Sequence, residues 1–307
     1  MRIFVSGARG FVGQHLVANL HAQGATIGTD RVITPRMDAN KPNSIRKALM
    51  EFEADIVFHL AAISATRPTF DALPEMFAIN CELPIALATI CKDLPKPPIM
   101  VFISTSMVYG AAFTNIPADE NTLMAPHNSY ATSKAIADRV LGEMAYLYPR
   151  IIRMRPGNHS GPKQSPDFFV PVIAKQIAAI EANKQDPVLQ IGPTHDRIDF
   201  LDIRDVVRAY GIVATKAEDL CQAFGTDAVF NIGSGVPVPL QEMLAYMTGK
   251  STRKITIEPR SDMVVGDART VALDASRFRK ATGWQPQYSW QDMLDQVLAY
   301  WRARMAA

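Results

Sequence analysis

The chain has 307 residues, of which 48% are hydrophobic and 20% charged, and its formal net charge is +2. That length supports a large buried core, in one large or two ordinary domains, and the balance excludes a disordered chain. A near-neutral charge gives no bulk electrostatic reason to expect a nucleic acid or a membrane surface as partner.

Cys81, Cys91 and Cys221 are too few and too scattered for a disulfide framework or a Cys-based zinc site, and no metal is expected. The first residues, Arg2-Ile3-Phe4-Val5-Ser6, read as a strand rather than a basic segment before a long apolar core. No uninterrupted run approaches the roughly eighteen apolar residues of a membrane span. A cytoplasmic enzyme is the default expectation.

In chain order, strands are expected at Ile3–Ser6, Thr26–Asp30, Ile56–Leu60, Ile99–Ser104 and Ile151–Arg155. Helical patterns lie between them at Phe11–His21, Pro42–Phe52, Pro74–Lys92 and Ser129–Leu147. Several of the strands are apolar throughout rather than alternating, as in a parallel sheet covered by helices on both faces. The predicted fold class is therefore α/β, a doubly wound parallel sheet of Rossmann type. After Arg155 the texture changes: Pro156, Gly157, Gly161, Pro162, Pro166 and Pro171 punctuate the chain before a helix near Phe168–Ala182. The chain ends in an amphipathic helix near Trp290–Met305. Residues 1–155 read as a dinucleotide-binding domain and 156–307 as a smaller substrate-binding lobe, with parts of 196–235 expected to return to the first.

Gly7-Ala8-Arg9-Gly10-Phe11-Val12-Gly13 follows the first strand and opens the first helix. Gly7 permits a sharp turn, Gly10 lets the backbone approach a pyrophosphate, and Gly13 allows close helix–strand packing. The N–H groups at the helix start then face the phosphates. At the end of the second strand, Asp30 can accept both ribose hydroxyls and repel a 2′-phosphate, which favours NAD. Arg9, Arg31 and Arg36 can neutralise that phosphate, which favours NADP. The readings oppose each other, so the cofactor stands as NAD or NADP. Asp38 reads either as a partner for the adenine edge or as a turn and cap residue.

Tyr130-Ala131-Thr132-Ser133-Lys134 places a phenol and an ammonium on one helical face. A nearby cation lowers a phenol's pKa from its usual value of about 10 and makes it useful in proton transfer to or from a carbonyl or hydroxyl oxygen. Ser104-Thr105-Ser106 closes the fourth strand, and ligands of open α/β sheets bind beyond the carboxyl ends of the strands. His59 reads as a packing and hydrogen-bonding residue beside the cleft.

Together, Gly7-x-x-Gly10-x-x-Gly13, His59-Leu60-Ala61-Ala62, Ser104-Thr105-Ser106-Met107-Val108-Tyr109-Gly110, Ser129-Tyr130-x-x-Ser133-Lys134 and Arg155-Pro156-x-Asn158 resemble the extended short-chain dehydrogenase/reductases, the NAD-dependent epimerase/dehydratases. The resemblance implies that Tyr130 donates or accepts the proton, Lys134 activates it and Thr105 is the hydroxyl that assists. It also implies a cofactor site including Leu60, Ala61 and Ala62, a nucleoside-diphosphate sugar as substrate, and a homodimer. The family's 4,6-dehydratases carry a Glu after that Thr, whereas Ser106 and Met107 stand here and cannot act as a carboxylate acid/base.

The second half, from Arg155-Pro156-Gly157-Asn158-His159 through Ala281-Thr282-Gly283-Trp284, looks most like the family's GDP-6-deoxy-4-keto-D-mannose reductases. The implied reaction is reduction of a C4 ketone, as in GDP-rhamnose synthesis. The alternatives are a UDP-hexose 4-epimerase or a non-catalytic dinucleotide-binding regulator. Asn158, Thr105, Ser106, Met107 and Tyr130 are the implied substrate contacts, with Arg197 and Arg260 toward the diphosphate. The family's Arg-Asp-aromatic order is altered to Arg197-Ile198-Asp199-Phe200, so Arg197 reads equally as a displaced phosphate ligand or a surface charge. Arg260 reads as a phosphate ligand or a solvated loop residue.

Overall fold

The computed structural model describes residues 1–29, 42–65, 68–260 and 268–306. Asp30, Arg31, Arg36 and Asp38 therefore lie outside the described residues. The first half runs β1 (Arg2–Ser6), α1 (Phe11–Ala22), β2 (Thr26–Thr29), α2 (Pro42–Phe52), β3 (Ile56–His59), α3 (Leu73–Phe77), α4 (Leu83–Lys92), β4 (Ile99–Ile103), α5 (Ser129–Met144) and β5 (Ile151–Pro156). There follow β6 (Asn158–Ser160), α6 (Phe169–Glu181), β7 (Val188–Ile191), β8 (Arg197–Ile198), β9 (Phe200–Asp202), α7 (Ile203–Phe224) and β10 (Val229–Ile232). The chain finishes with β11 (Val238–Pro239), α8 (Leu240–Gly249), β12 (Thr256–Pro259), β13 (Thr270–Val271), α9 (Ser276–Thr282) and α10 (Trp290–Ala306).

Six strands form one sheet in the order β10-β5-β4-β3-β1-β2, and every neighbouring pair is parallel. Ile3, Val5, Phe58 and Val101 face one layer, where α1 and α7 bury Leu16, Leu20, Val206 and Tyr210. Phe4, Val57, Met100 and Phe102 face the other, against Leu49 of α2, Leu87 of α4 and Leu141 of α5. This is the doubly wound α/β architecture that continuous apolar strands predict. The strand order reverses at β1/β3, so a crevice opens beyond the carboxyl ends of these two strands. A second core joins α6, α8 and α10 with β7 and β11 through Ile173, Ile177, Met243 and Leu294.

One expected helix is broken. The Pro74–Lys92 pattern contains α3 and α4 separated by a π-helical turn over Ala78–Glu82. The whole helical run Phe70–Lys92 is long and apolar enough, by length and composition, to cross a membrane. Its apolar content has a role in the fold, because Leu83, Leu87, Ile90 and Cys91 face the sheet core.

Candidate active site

The glycine turn is built by contact rather than by side chains. Gly7 has φ +78, and a Cβ there would lie 2.6 Å from the Ala61 nitrogen. The turn therefore presses against the segment that leaves β3, and Leu60 N donates to the Ser6 carbonyl at 3.0 Å. A Cβ on Gly13 would collide with the Gly7 carbonyl oxygen and sit 2.8 Å from Ala8 Cα. Gly10 is the N-cap of α1 with no side-chain cap, and no acidic residue occupies the first turn. That leaves a helix start suited to an anion. Phe11 and Val12 are half-buried and Arg9 is exposed at this turn; Leu60 and Ala61 are half-buried and Ala62 exposed across from it. The fit to a dinucleotide pyrophosphate is good: backbone approaches closely where a side chain would fill the space.

Two strands along, Thr105 begins a 3₁₀ turn over Ser106–Val108, and its Oγ1 accepts the Met107 N–H at 3.2 Å. Thr105 and Ser106 are buried, Met107 half-buried. Asn128 caps α5 by accepting the Ala131 N–H at 2.8 Å, which fixes where the helix starts and hence where Tyr130 sits in its first turn. Tyr130 is half-buried, and Lys134 lies one turn below, 2% exposed, with its ammonium 4.1 Å from the centre of the Phe102 ring. The structure thus puts Tyr130 in hydrogen-bonding reach of Thr105 beyond β4, with Lys134 one turn further along α5 over the Phe102 ring.

The electrostatics differ from expectation. Burial raises the Tyr130 pKa, and what opposes burial is a hydrogen bond with the Thr105 hydroxyl. The expected lowering by Lys134 is therefore not met. The reason is that Lys134 is itself dry: burial drives its pKa down to about 7, with Asp138 opposing. An ammonium that is only partly charged at neutral pH pulls weakly on the phenol.

His59 is fully buried on the other side of Lys134, where Nδ1 bonds Ser6 Oγ at 2.9 Å and the ring stacks on Phe102. Burial, with the nearby Lys134 charge, lowers its pKa to about 3, so it is a neutral packing residue.

Sequence reasoning missed Asn80. In the π-helical turn, its Oδ1 accepts the Ile63 N–H at 2.8 Å, and its Nδ2 donates to the Ile63 carbonyl at 2.9 Å and to Ser133 Oγ at 3.0 Å. Ser133 Oγ in turn donates to the Tyr130 carbonyl at 2.8 Å. Asn80 thus ties the segment after β3 to the helix carrying Tyr130 and Lys134. A lone amide inside an apolar helical pattern was the available signal, since a buried amide needs partners.

A buried charged array under α5 was missed as well. Arg155 donates to both oxygens of Asp138 at 2.9 Å, and Arg153 lies 3.3 Å from the same carboxylate. Arg155 also donates to the Tyr109 hydroxyl at 3.0 Å, and Tyr109 donates to Asn231 Oδ1 at 2.7 Å. Burial pushes the Asp138 pKa up, but the two guanidiniums outweigh it and hold the carboxyl below its ordinary range.

Beyond β5, Asn158 is half-buried in β6, which pairs with β9. Arg197 is exposed and donates to the Pro237 carbonyl at 3.3 Å, whereas Ile198 packs toward the second core. Adjacent strand residues face opposite ways, so a one-position displacement carries the guanidinium to the other face of β8. Arg260 is exposed just after β12. An exposed cation absent from the expected set, Arg269, pairs with Asp196 at 3.3 Å and lies 3.2 Å from His127 Nε2. His127 immediately precedes the cap of α5. Beneath, Asp199 accepts the N–H groups of Ser234 and Gly235 at 3.1 and 2.8 Å and fixes the turn after β10.

Residues 3–233 match the NAD dependent epimerase/dehydratase family. The chain belongs to that family. It is 29% identical to the GDP-6-deoxy-D-mannose reductase of Pseudomonas aeruginosa, over 99% of this chain and 98% of that protein. It is 27% identical to a UDP-glucose 4-epimerase of Mycolicibacterium smegmatis, over 98% of this chain and 99% of that one. The structure of RMD from Pseudomonas aeruginosa complexed with NADPH superposes with a TM-score of 0.87 at 29% identity, covering 99% of both chains. The protein is accordingly an enzyme of the NAD(P)-dependent reductase, epimerase and dehydratase group that acts on sugar nucleotides.

Proposed function

We propose that the protein reduces the C4 ketone of a nucleoside-diphospho-6-deoxy-4-ketohexose, with GDP-4-keto-6-deoxy-D-mannose as the leading substrate. The observation that carries this reading is the Thr105–Tyr130–Lys134 group beside a glycine cradle, with Ser106 and Met107 where elimination chemistry needs a carboxylate. The similarity to the Pseudomonas aeruginosa reductase supports the same substrate.

When bound, the nicotinamide ring supplies hydride to the carbonyl carbon. Gly7, Gly10 and Gly13 hold the pyrophosphate with backbone groups, and Leu60, Ala61 and Ala62 wall the cleft. Thr105 Oγ1 accepts the Met107 N–H, which fixes the hydroxyl in the site, and its O–H can turn from the Tyr130 oxygen to the substrate oxygen. Tyr130 gives its proton to the oxygen as charge develops there. The phenol is protonated at neutral pH, so the proton is in place, but burial makes it a weaker acid, and charge developing on the substrate oxygen has to draw the proton across. Lys134 steadies the phenolate left behind. In this reading Asn158 contacts the sugar, and Arg260 and Arg269 are the cations assigned to the diphosphate, Arg197 being engaged with the Pro237 carbonyl.

The test is incubation with GDP-4-keto-6-deoxymannose and NADPH or NADH. Loss of near-ultraviolet absorbance equal to the substrate consumed supports reduction, and no loss with either cofactor sinks it. The similarity to a UDP-glucose 4-epimerase motivates a second reading, 4-epimerisation. It predicts interconversion of UDP-hexoses with no net consumption of cofactor.

A further inference from the structure

Arg269, just before β13, leaves 54% of its side chain exposed, yet its guanidinium is gripped on two sides. Its Nη2 donates to Asp196 Oδ2 at 3.3 Å and its Nη1 donates to His127 Nε2 at 3.2 Å. The other Asp196 oxygen accepts the Arg269 backbone N–H at 2.9 Å, and the Arg269 carbonyl accepts the Arg197 N–H at 2.8 Å. Holding a long exposed side chain in one geometry costs rotamer entropy. Among the described residues, three of its five N–H groups are left for an anion.

Two chain paths lead from this contact to the proposed site. On one, His127 stands three residues before Tyr130, at most about 11 Å of chain, and directly before Asn128, whose side chain caps α5. On the other, Arg269 is bonded to β8 at Arg197, three residues before Phe200, which is the partner of Asn158 across β6 and β9. The guanidinium is thus within a few residues of both the phenol and the residue assigned to the sugar.

An arginine only donates, so His127 Nε2 has to accept and the ring proton has to sit on Nδ1. A protonated imidazole carries N–H on both nitrogens. It would set donor against donor and cation against cation at 3.2 Å. Burial and then the Arg269 charge hold the His127 pKa below its ordinary value, in keeping with a neutral ring. The charged groups nearby are engaged elsewhere. His195 lies 3.8 Å from Asp196, Asp119 accepts from the Thr122 hydroxyl at 2.9 Å, and Glu120 pairs with Arg277 at 3.6 Å. Tyr130 and Lys134 follow on α5.

We propose that His127 is a positioning residue for substrate binding: as a neutral acceptor it aims the Arg269 guanidinium, together with Asp196, at the diphosphate of the sugar nucleotide, and taking up a proton releases it. The site then holds its anion less tightly as pH falls. The inference rests on the sugar nucleotide proposed above.

The test is calorimetric binding of GDP-mannose and of UDP-glucose in the presence of NADPH. Both diphosphates are diesters and keep their charge over the range in which a histidine titrates. The His127 midpoint is read by NMR of the 15N-labelled ring and assigned by its loss in His127→Gln. Wild-type affinity should fall about tenfold as pH drops through that midpoint, as expected for loss of a charged hydrogen bond. His127→Gln, whose amide oxygen accepts but does not titrate, should stay within about twofold of wild type at high pH and lose the pH dependence. His127→Leu should bind about tenfold more weakly throughout. Arg269→Gln should raise the His127 midpoint by removing a neighbouring cation. His127 is exposed, so these substitutions leave the core intact. Wild-type binding that ignores the His127 midpoint, or Gln and Leu variants that bind alike, overturns the proposal. If UDP-glucose shows the pattern and GDP-mannose does not bind, the inference stands and the nucleotide assigned above falls. If neither binds, both fall.

Discussion

Replacing Asn80 with Ala tests whether the cofactor cleft and the catalytic helix are clamped by one side chain. The substitution deletes three hydrogen bonds, of 2.8 and 2.9 Å to Ile63 and 3.0 Å to Ser133, at a residue that is 1% exposed. At about 1 kcal/mol net for each, the fold should lose about 3 kcal/mol. For 307 residues, at about 2.1 cal/mol/K each, that corresponds to a fall in Tm of about 5 °C. The damage is local to the segment Leu60–Ile63, so NADPH affinity should also fall, by about tenfold if ordering that segment costs about 1.4 kcal/mol. Circular dichroism melts and titration of NADPH fluorescence read the two effects separately. A Tm within about 2 °C of wild type with unchanged NADPH affinity would refute the clamp.

Tyr130→Phe should lose at least about 100-fold in kcat while NADPH binding stays within about twofold, because only proton transfer is removed; equal loss of binding would show that the phenol's role is structural. Gly13→Ala should abolish NADPH binding in fluorescence titration and lower Tm, since its Cβ would meet the Gly7 carbonyl and sit 2.8 Å from Ala8 Cα. Arg269→Gln should raise KM for the sugar nucleotide by about 10-fold or more with kcat retained, as expected for loss of a charged hydrogen bond, whereas Arg197→Gln should stay within about twofold; steady-state kinetics of both variants would reverse this assignment if Arg197 dominated. Lys134 has its pKa lowered from 10.5 to about 7 on folding, so between those values the unfolded chain binds a proton that the native one does not, and stability rises with pH across that window. Urea titrations should therefore show wild type gaining on Lys134→Met by up to about 1.4 kcal/mol per pH unit above pH 7, and a flat difference would contradict the buried ammonium.

The sheet was legible because its strands are apolar throughout, and the phosphate turn because three glycines follow the first strand where side chains would collide. Tyr130 and Lys134 were legible because helical spacing alone puts them on one face. Asn80 was not, since a regular helix over Pro74–Lys92 gives no reason for a π-helical turn, and that extra residue arises from packing against Ile63 and Ser133. The fall of the Lys134 pKa, and with it the fate of Tyr130, depends on how dry the floor of the site becomes, a property of Phe102, His59 and the sheet together. The two readings of Arg197 arise from its displacement by one position. Strand alternation is strict, and a guanidinium moved by one position crosses to the opposite side of β8. Arg269 could not be found by spacing, as it reaches His127 across 142 positions of sequence.

The π-helical turn has a consequence for the chain's history. A π turn holds one residue more than the α-helix on either side of it can absorb, and each residue of a regular helix turns the next by about 100°. Deleting any single position within Ala78–Glu82 would let the helix close up as ordinary α and swing Asn80 off its partners, leaving both Ile63 and Ser133 without it. Insertions and deletions should thus be tolerated in the loops at either end of this rod but not along it, and chimeras that exchange it with a relative should be cut outside residues 73–92.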